Sequence, residues 1–268
     1  MVQPTDGSKE AGDEAAMMIR KHPGMAVAVG ENRMLAVPDL LLARPDTRVI
    51  ILDDAYQHRS VKPSLNILLT TYDKPFTRDR VLPLGRLRES RSEYKRADII
   101  IVTKCPEELS EQNREKMLEE IKPHSYQKVY FSRQRHQLPR QIWTDQPRAW
   151  NKDFEALCFS GIAAPEYFED YVKGVSSKMV PRQFRDHHEF DRYDLEELRD
   201  MYKRMDPSKA QMVTTEKDAI RLMPHMNWFI ENKIPVWVVS VACEFDCQDG
   251  QDLVNDLNLL LQMHYPQR

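Results

Sequence analysis

What most constrains the fold of this chain is how its apolar residues are bunched. Short runs of Ile, Leu and Val, such as "VIIL" at residues 49–52 and "DIIIVT" at 98–103, are continuous rather than alternating. A strand with one wet face alternates, whereas a continuous run needs apolar cover on both faces. Segments of helical spacing lie between these runs. "PEELSEQNREKMLEEI" at 106–121 opens with Pro and acids, both favourable in a first helical turn. Strands alternating with helices give an α/β fold with a mainly parallel sheet. The pattern predicts strands at 25–29, 49–52, 65–70 and 98–103. It predicts helices at 13–21, 31–43 (interrupted by Pro38) and 106–121, after a polar, frayed end at 1–11.

Between 133 and 150 the style changes. "RQRHQLPRQIWTDQPRAW" is polar, basic and broken by prolines, and reads as a connection with short extended segments at most. A second alternation follows, with strands at 157–160, 212–214 and 235–241 and helices at 165–173, 195–205, 217–222 and 253–263. The expected division is a first α/β domain over 1–132, a linker or hinge over 133–150, and a smaller α/β domain over 151–268.

The 268 residues suffice for two modest domains, and 41% hydrophobic content is ample for their cores. A formal net charge of -3 gives no global basic field for nucleic acid. Cys105, Cys158, Cys243 and Cys247 are scattered as reduced thiols would be. Cys243 and Cys247 lack a second Cys or His pair at metal-ligand spacing. No run approaches ~18 consecutive apolar residues, and the first twenty residues lack a basic-then-apolar leader, so any membrane contact is expected to be peripheral.

Five stretches carry candidate chemistry. "VIILDDAYQHRS" at 49–60 ends an apolar run in Asp53 and Asp54, with His58 and Arg59 close behind. Ligands gather at the carboxyl ends of parallel strands, and magnesium prefers carboxylate oxygens; two solvated turn acids are the plainer reading. "LPLGRLRES" at 82–90 clusters Arg86, Arg88 and Glu89, with Arg91 next, around Gly85, as a phosphate grip or a solvated basic loop. Asp13 and Glu14 in "GDEAAM" suit a first helical turn or catalysis. "FRDHHEF" at 184–190 sets Asp186 beside His187 and His188, an acid–base pair or a loop cap. "TTEKDAIRL" at 214–222 leaves a strand and enters a helix, with Thr214 or Thr215 as cap and Lys217 and Asp218 either orienting a ligand or decorating the first turn.

Each stretch is weak alone, but their order is not. "GDE", "VGENR", "ILDDAYQHR", "LPLGRLRE", "RADIIIVTK", "FSGIAAPEYF", "FRDHHEF" and "TTEKDAIRL" together closely resemble the tetraacyldisaccharide 4'-kinase family of lipid A biosynthesis, from Gly12 to about Val241. The resemblance implies a P-loop-NTPase-like, mainly parallel sheet domain plus the second, smaller α/β domain. It implies transfer of the γ-phosphoryl group of ATP, with Mg2+, to the 4'-hydroxyl of an acylated glucosamine disaccharide 1-phosphate. The reaction would run at the cytoplasmic face of the inner membrane of Gram-negative bacteria, with the enzyme peripheral to that surface.

Carried over by motif, Asp13 would take the sugar hydroxyl's proton and His187, directly after the aspartate, would pair with it and tune it. Asp53 and Asp54 would hold or orient magnesium. His58, Arg88 and Glu89 would complete the phosphate and metal surroundings, with Glu14 and Arg33 as further polar positions. The site would lie in the cleft between the domains, so that Asp13 and His187 meet on closure. Ala15, Ala55, Tyr56 and Ser90 depart from the family pattern without removing a charged residue. Ala55 stands where glycine is usual, so its backbone must avoid positive φ or accept strain.

One element of such a kinase is missing. The eight glycines, at 7, 12, 24, 30, 85, 161, 174 and 250, begin no G-x-x-x-x-G-K-[ST] phosphate loop. In the family this loop lies upstream of the GDE motif, so the first domain reads as N-terminally truncated and the chain alone as a very poor kinase. Two other readings of the residues are a non-catalytic module, derived from the kinase, that binds lipid or a partner, and a magnesium-dependent phosphohydrolase.

Overall fold

The computed structural model describes residues 1–264 except Pro4, Asp145 and Asn151. Pro4 falls in the stretch expected to fray and Asp145 in the expected connection, both outside the described residues. Helices α1 (Ser8–Ala11), α2 (Asp13–Lys21) and α3 (Arg33–Ala43) precede β1 (Ile67–Thr71), β2 (Ile99–Thr103), α4 (Glu111–Ile121) and β3 (Lys128–His136). Then come β4 (Arg140–Gln141), β5 (Glu155–Ser160), α5 (Glu166–Val175), β6 (Lys178–Gln183), α6 (Arg192–Lys203), β7 (Ala210–Thr215) and α7 (Glu216–Leu222). The series ends with α8 (Met226–Glu231), β8 (Val236–Val239), β9 (Val241–Phe245) and α9 (Cys247–His264).

The chain divides into two compact units that do not follow the expected boundaries. One comprises Met1–Thr47 with His136–Val241, and the other Arg48–Arg135 with Ala242–Arg268. The amino-terminal helices therefore group with the later half of the chain. The reason is visible in packing: Val2, Ala11, Ala16, Ile19 and Val27 bury themselves with Ile220 of α7. Residues 1–11 accordingly do not fray wholesale. Val2 donates its N–H to Val27 O at 2.8 Å, and α1 forms at Ser8–Ala11.

The first unit holds a five-stranded sheet of order β4-β8-β7-β5-β6. It is parallel except where β4 meets β8. β5 shows why residues 156–159 are continuously apolar. Leu157 and Phe159 pack with Leu195 and Leu198 of α6 on one face. Ala156 and Cys158 pack with Phe168 and Val172 of α5 on the other. β6 was not predicted. It carries Pro181, which cannot donate to a ladder, and it lies at the sheet edge where that loss is tolerated.

The second unit holds a sheet of order β1-β2-β3-β9, parallel from β1 through β3. In β2, Ile100 and Val102 face Met117 and Ile121 of α4, while Ile99 and Ile101 face Leu253 of α9. The helix expected from Pro106 begins at Glu111 because Ser110 caps it, its Oγ accepting from Asn113 N at 3.3 Å. The expected connection starts inside β3, whose polar residues hide the strand from a hydrophobic reading. The expected run 235–241 splits into β8 and the start of β9.

Two predicted strands do not form. Residues 25–29 and 49–52 are irregular. No described strand pairs with residues 49–52, and Ile51 is 77% exposed. An apolar run without a neighbouring ladder has no backbone partners to make it a strand. α3 likewise buries none of its residues.

Candidate active site

Asp13 opens α2. Its predecessor Gly12 caps the helix at φ 79°, a left-handed value that glycine alone adopts freely. From there the Asp13 carboxylate points into the first unit and is only 5% exposed. A buried carboxylate needs a charged partner, and Arg221 of α7 supplies it. Arg221 Nε donates to Asp13 Oδ1 at 3.1 Å and its Nη2 donates to Oδ2, a two-pronged grip.

Arg221 is itself fixed from behind. Its Nη1 donates to Gly161 O at 2.7 Å and to Asp218 Oδ1 at 3.1 Å. Asp218 is fully buried, receives Gly161 N–H at 3.1 Å and Thr215 Oγ1 at 2.7 Å, and touches no solvent. It is a structural anchor rather than the ligand-orienting group its position in "TTEKD" allowed. Thr215 is the cap of α7, its Oγ1 accepting from Asp218 N at 3.2 Å.

His187 completes the cluster. Its backbone is held at φ 55° by Gly161 O and Asp186 Oδ1, which accept its N–H at 3.1 and 3.0 Å. That posture brings Nδ1 to 3.3 Å from Asp13 Oδ2 and 3.2 Å from Arg221 Nη2, with 64% of the side chain exposed. Asp13 and His187 thus meet inside one compact unit, and their contact does not wait for domain closure. His188 plays another part: its Nε2 lies 2.8 Å from Asp194 Oδ2 and its ring stacks on Phe184.

Burial by itself would push the Asp13 carboxyl up. The hydrogen bonds and charge of Arg221 outweigh it and hold Asp13 below the usual carboxylate range. Asp218 goes the other way, pushed up by burial against Thr215, the Gly161 N–H and Arg221. Glu14, one residue on, is held low chiefly by its hydrogen bond with Lys217, the lysine of "TTEKD". Arg33 begins α3 and donates to Gly30 O.

The remaining candidates lie on the second unit. Because residues 49–52 form no strand, Asp53 and Asp54 sit in an exposed turn rather than at a strand end. Asp54 takes the left-handed conformation itself, at φ 45°, and Ala55 avoids it. Arg88 Nη1 donates to Asp54 Oδ2 at 3.0 Å. Glu89 is committed to two arginines, accepting from Arg59 Nη2 at 3.0 Å and Arg96 Nη2 at 2.5 Å. Arg96 also donates to Tyr56 O at 2.9 Å and stacks over the Tyr56 ring, whose hydroxyl burial pushes up to about 12. His58 follows at the Ala55–His58 turn, half-buried.

Sequence reading missed Arg221 and Arg96. Arg221 sits in an apolar helical stretch that reads as core with one snorkelling charge. The available signal was its spacing of three from Asp218, which puts both on one helix face.

Comparison with known proteins places the chain in a family. The family model for Tetraacyldisaccharide-1-P 4'-kinase matches residues 1–261. The tetraacyldisaccharide 4'-kinase of Parabacteroides distasonis is 40% identical over 235 residues, covering 83% of this chain and 63% of the relative. That of Bacteroides thetaiotaomicron is 33% identical over 267 residues, covering 95% and 70%. The fold matches the crystal structure of LpxK from Aquifex aeolicus in complex with ATP, with a TM-score of 0.68 at 22% identity, over 96% of this chain and 71% of that one. The chain therefore spans roughly two thirds of the length of the relatives it matches. On the family match and these relatives, the chain belongs to the tetraacyldisaccharide 4'-kinase family.

Proposed function

We propose that this chain is the body of a kinase that moves the γ-phosphoryl group of ATP to the 4'-hydroxyl of tetraacyldisaccharide 1-phosphate, in lipid A biosynthesis. The observation that carries the reading is the buried Asp13 carboxylate, kept ionised by Arg221 and in contact with an exposed His187. An alcohol attacking a phosphorus atom must lose its proton, and an ionised carboxylate at a fixed position can accept it. The O–H bond breaks toward Asp13 as the new P–O bond forms, and ADP leaves with the electrons of the old one. His187 tunes and orients Asp13.

Phosphoryl transfer otherwise asks for positioning and charge neutralisation. Arg59 and Arg96, held by Glu89, and Arg88, held by Asp54, form a basic, hydrogen-bonded surface suited to phosphate, with His58 in the adjoining turn. Glu14 and Arg33 add polar positions. Asp53 and Asp54 are adjacent, exposed carboxylates. Among the described residues no group of three or more His, Cys, Asp or Glu side chains could hold a metal. Magnesium fits two carboxylates nevertheless, because phosphate oxygens and water complete its shell. When bound it would neutralise charge on the transferring group.

Among the described residues no helix is long and apolar enough to cross a membrane. The lipid substrate then implies work at a membrane surface, peripherally, on the cytoplasmic face of the inner membrane where ATP is available.

The test grafts this chain in place of the matching segment of the Parabacteroides distasonis kinase, which supplies the remaining length. Magnesium-dependent transfer of labelled phosphate to tetraacyldisaccharide 1-phosphate, lost on Asp13→Asn, is expected. A folded graft that phosphorylates no lipid, or one indifferent to Asp13→Asn, overturns the reading.

A further inference from the structure

The Arg221 guanidinium has five N–H groups, and each meets a different acceptor. Nε meets Asp13 Oδ1 at 3.1 Å, and Nη1 meets Gly161 O at 2.7 Å and Asp218 Oδ1 at 3.1 Å. Nη2 meets Asp13 Oδ2 and, at 3.2 Å, His187 Nδ1. Arg221 is about 2% exposed, so none of these bonds competes with bulk water. The fifth is the informative one. An arginine never accepts, so a ring nitrogen facing its N–H must offer a lone pair. His187 Nε2, the other ring nitrogen, lies 3.7 Å from Asp186 Oδ2, an acceptor. Arg221 and Asp186 favour the same tautomer, with the proton on Nε2. Asp13 Oδ2, 3.3 Å from Nδ1, is an acceptor and pulls the other way, but it is already served by an Arg221 Nη2 N–H, whereas a proton on Nδ1 would face the second, buried Nη2 N–H head-on.

We propose that Arg221 is a positioning residue that locks the Asp13 carboxylate in place and fixes His187 as the Nε2–H tautomer. Two consequences follow for the chemistry. Neutral His187 turns a donor rather than a lone pair to its exposed edge, which suits a hydrogen bond to an anionic oxygen such as a phosphoryl oxygen. Asp13 is left as the base of the pair. The Asp13 assignment rests on the kinase reading; the tautomer does not.

The charged groups around the cluster are Arg221 and Asp218 of α7, His187 and Asp186 of the loop after β6, Glu189 near Arg221, and Glu14 beside Asp13 on α2. Of these, Arg221 alone bonds both Asp13 and His187, so replacing it tests the lock.

The experiment is NMR on the full 268-residue chain. Long-range 1H–15N correlation reads the His187 tautomer, and the 13Cγ resonance of Asp13 reads its titration. Expected in the wild type is Nε2–H, with Asp13 titrating below the ordinary carboxylate range. In Arg221→Lys, which keeps charge but loses the planar fork, and in Arg221→Gln, the His187 proton shifts toward Nδ1 and the Asp13 midpoint moves up. An Nδ1–H tautomer in the wild type overturns the proposal without any variant, as does an unmoved Asp13 midpoint in a folded Arg221→Lys. A confirmed tautomer with a failed lipid phosphorylation assay leaves the lock standing and removes the kinase reading; the reverse outcome removes the lock alone.

Discussion

Asp13 and His187, 174 residues apart in the chain, stand 3.3 Å from each other within one compact unit. Two local devices bring them there. Gly12 turns the chain into α2 so that its first side chain points inward, and the left-handed backbone of His187 projects the ring over that carboxylate. Neither depends on the other unit. The pair is therefore set by the fold of that unit, as preorganised charge requires.

Replacing Asp13 removes charge from this pair and leaves Arg221 buried with half its carboxylate partners. Breaking a buried ion pair from one side costs about 3–5 kcal/mol. Asp13→Asn is expected to lower stability on that scale in urea unfolding and, in the grafted kinase, to cut turnover by about a hundredfold or more. ATP affinity should change far less, because Asp13 acts on the acceptor alcohol. Equal losses of ATP binding and turnover would contradict the role given to Asp13.

Asp13 and Asp218 give opposite contributions to acid stability. The native Asp13 value is lowered, so its contribution is fully present above its ordinary value of 3.8 and is lost as pH falls below it. The native Asp218 value is raised, so proton uptake favours the folded state below 3.8 and that contribution fades as pH rises through the native value. Unfolding midpoints followed from about pH 6 down to about pH 2 should fall less steeply in Asp13→Asn than in the wild type. In Asp218→Asn they should fall more steeply. Parallel curves would show that neither carboxyl is shifted.

What the sequence disclosed was set by burial. β2 and β5 were legible because both of their faces are covered, so residues 99–102 and 156–159 are apolar throughout. β3 and β6 were not, since Arg133, Gln134 and Arg135 occupy one strand and Pro181 the other. Residues 49–52 misled in the opposite direction: their composition is that of a strand, but a strand also needs a neighbour. The division into units was hidden because the contacts of Ile220 with Ala16 and Ile19 join segments far apart in sequence. Asp13 and His187 were legible through their motifs, not through spacing. Arg221 was missed because one arginine between Ile220 and Leu222 reads as a charge snorkelling out of a core helix, whereas the Arg221 guanidinium is itself almost fully buried.

Lys217 and Glu14 form an ion pair with both side chains substantially exposed. Exposed pairs contribute little, so Lys217→Ala is expected to change unfolding free energy by no more than about 1 kcal/mol. The lysine of "TTEKD" is then free to matter for ligands. A fall in turnover of the grafted kinase out of proportion to that small stability change would mark Lys217 as a ligand contact. Unchanged turnover would leave it as a helix-surface partner of Glu14.

Gly85 is the residue in "LPLGRLRE" that the loop cannot replace. A Cβ there would stand 2.3 Å from Arg80 O and 2.4 Å from Asp79 Oδ1, closer than any real side chain approaches a backbone oxygen. Asp79 cannot swing away without loss, because it accepts from Arg86 N at 3.1 Å and Arg86 Nε at 3.0 Å. Gly85→Ala must therefore move the backbone, at a cost of about 1–3 kcal/mol. The displaced segment carries Arg88 and Glu89, and with them the grip of Glu89 on Arg59 and Arg96. In the grafted kinase the variant is expected to raise the ATP concentration needed for half-maximal rate, while the Asp13 midpoint, read by NMR in the 268-residue chain, stays where it is. A Gly85→Ala protein with wild-type urea stability would show that this loop adopts another path.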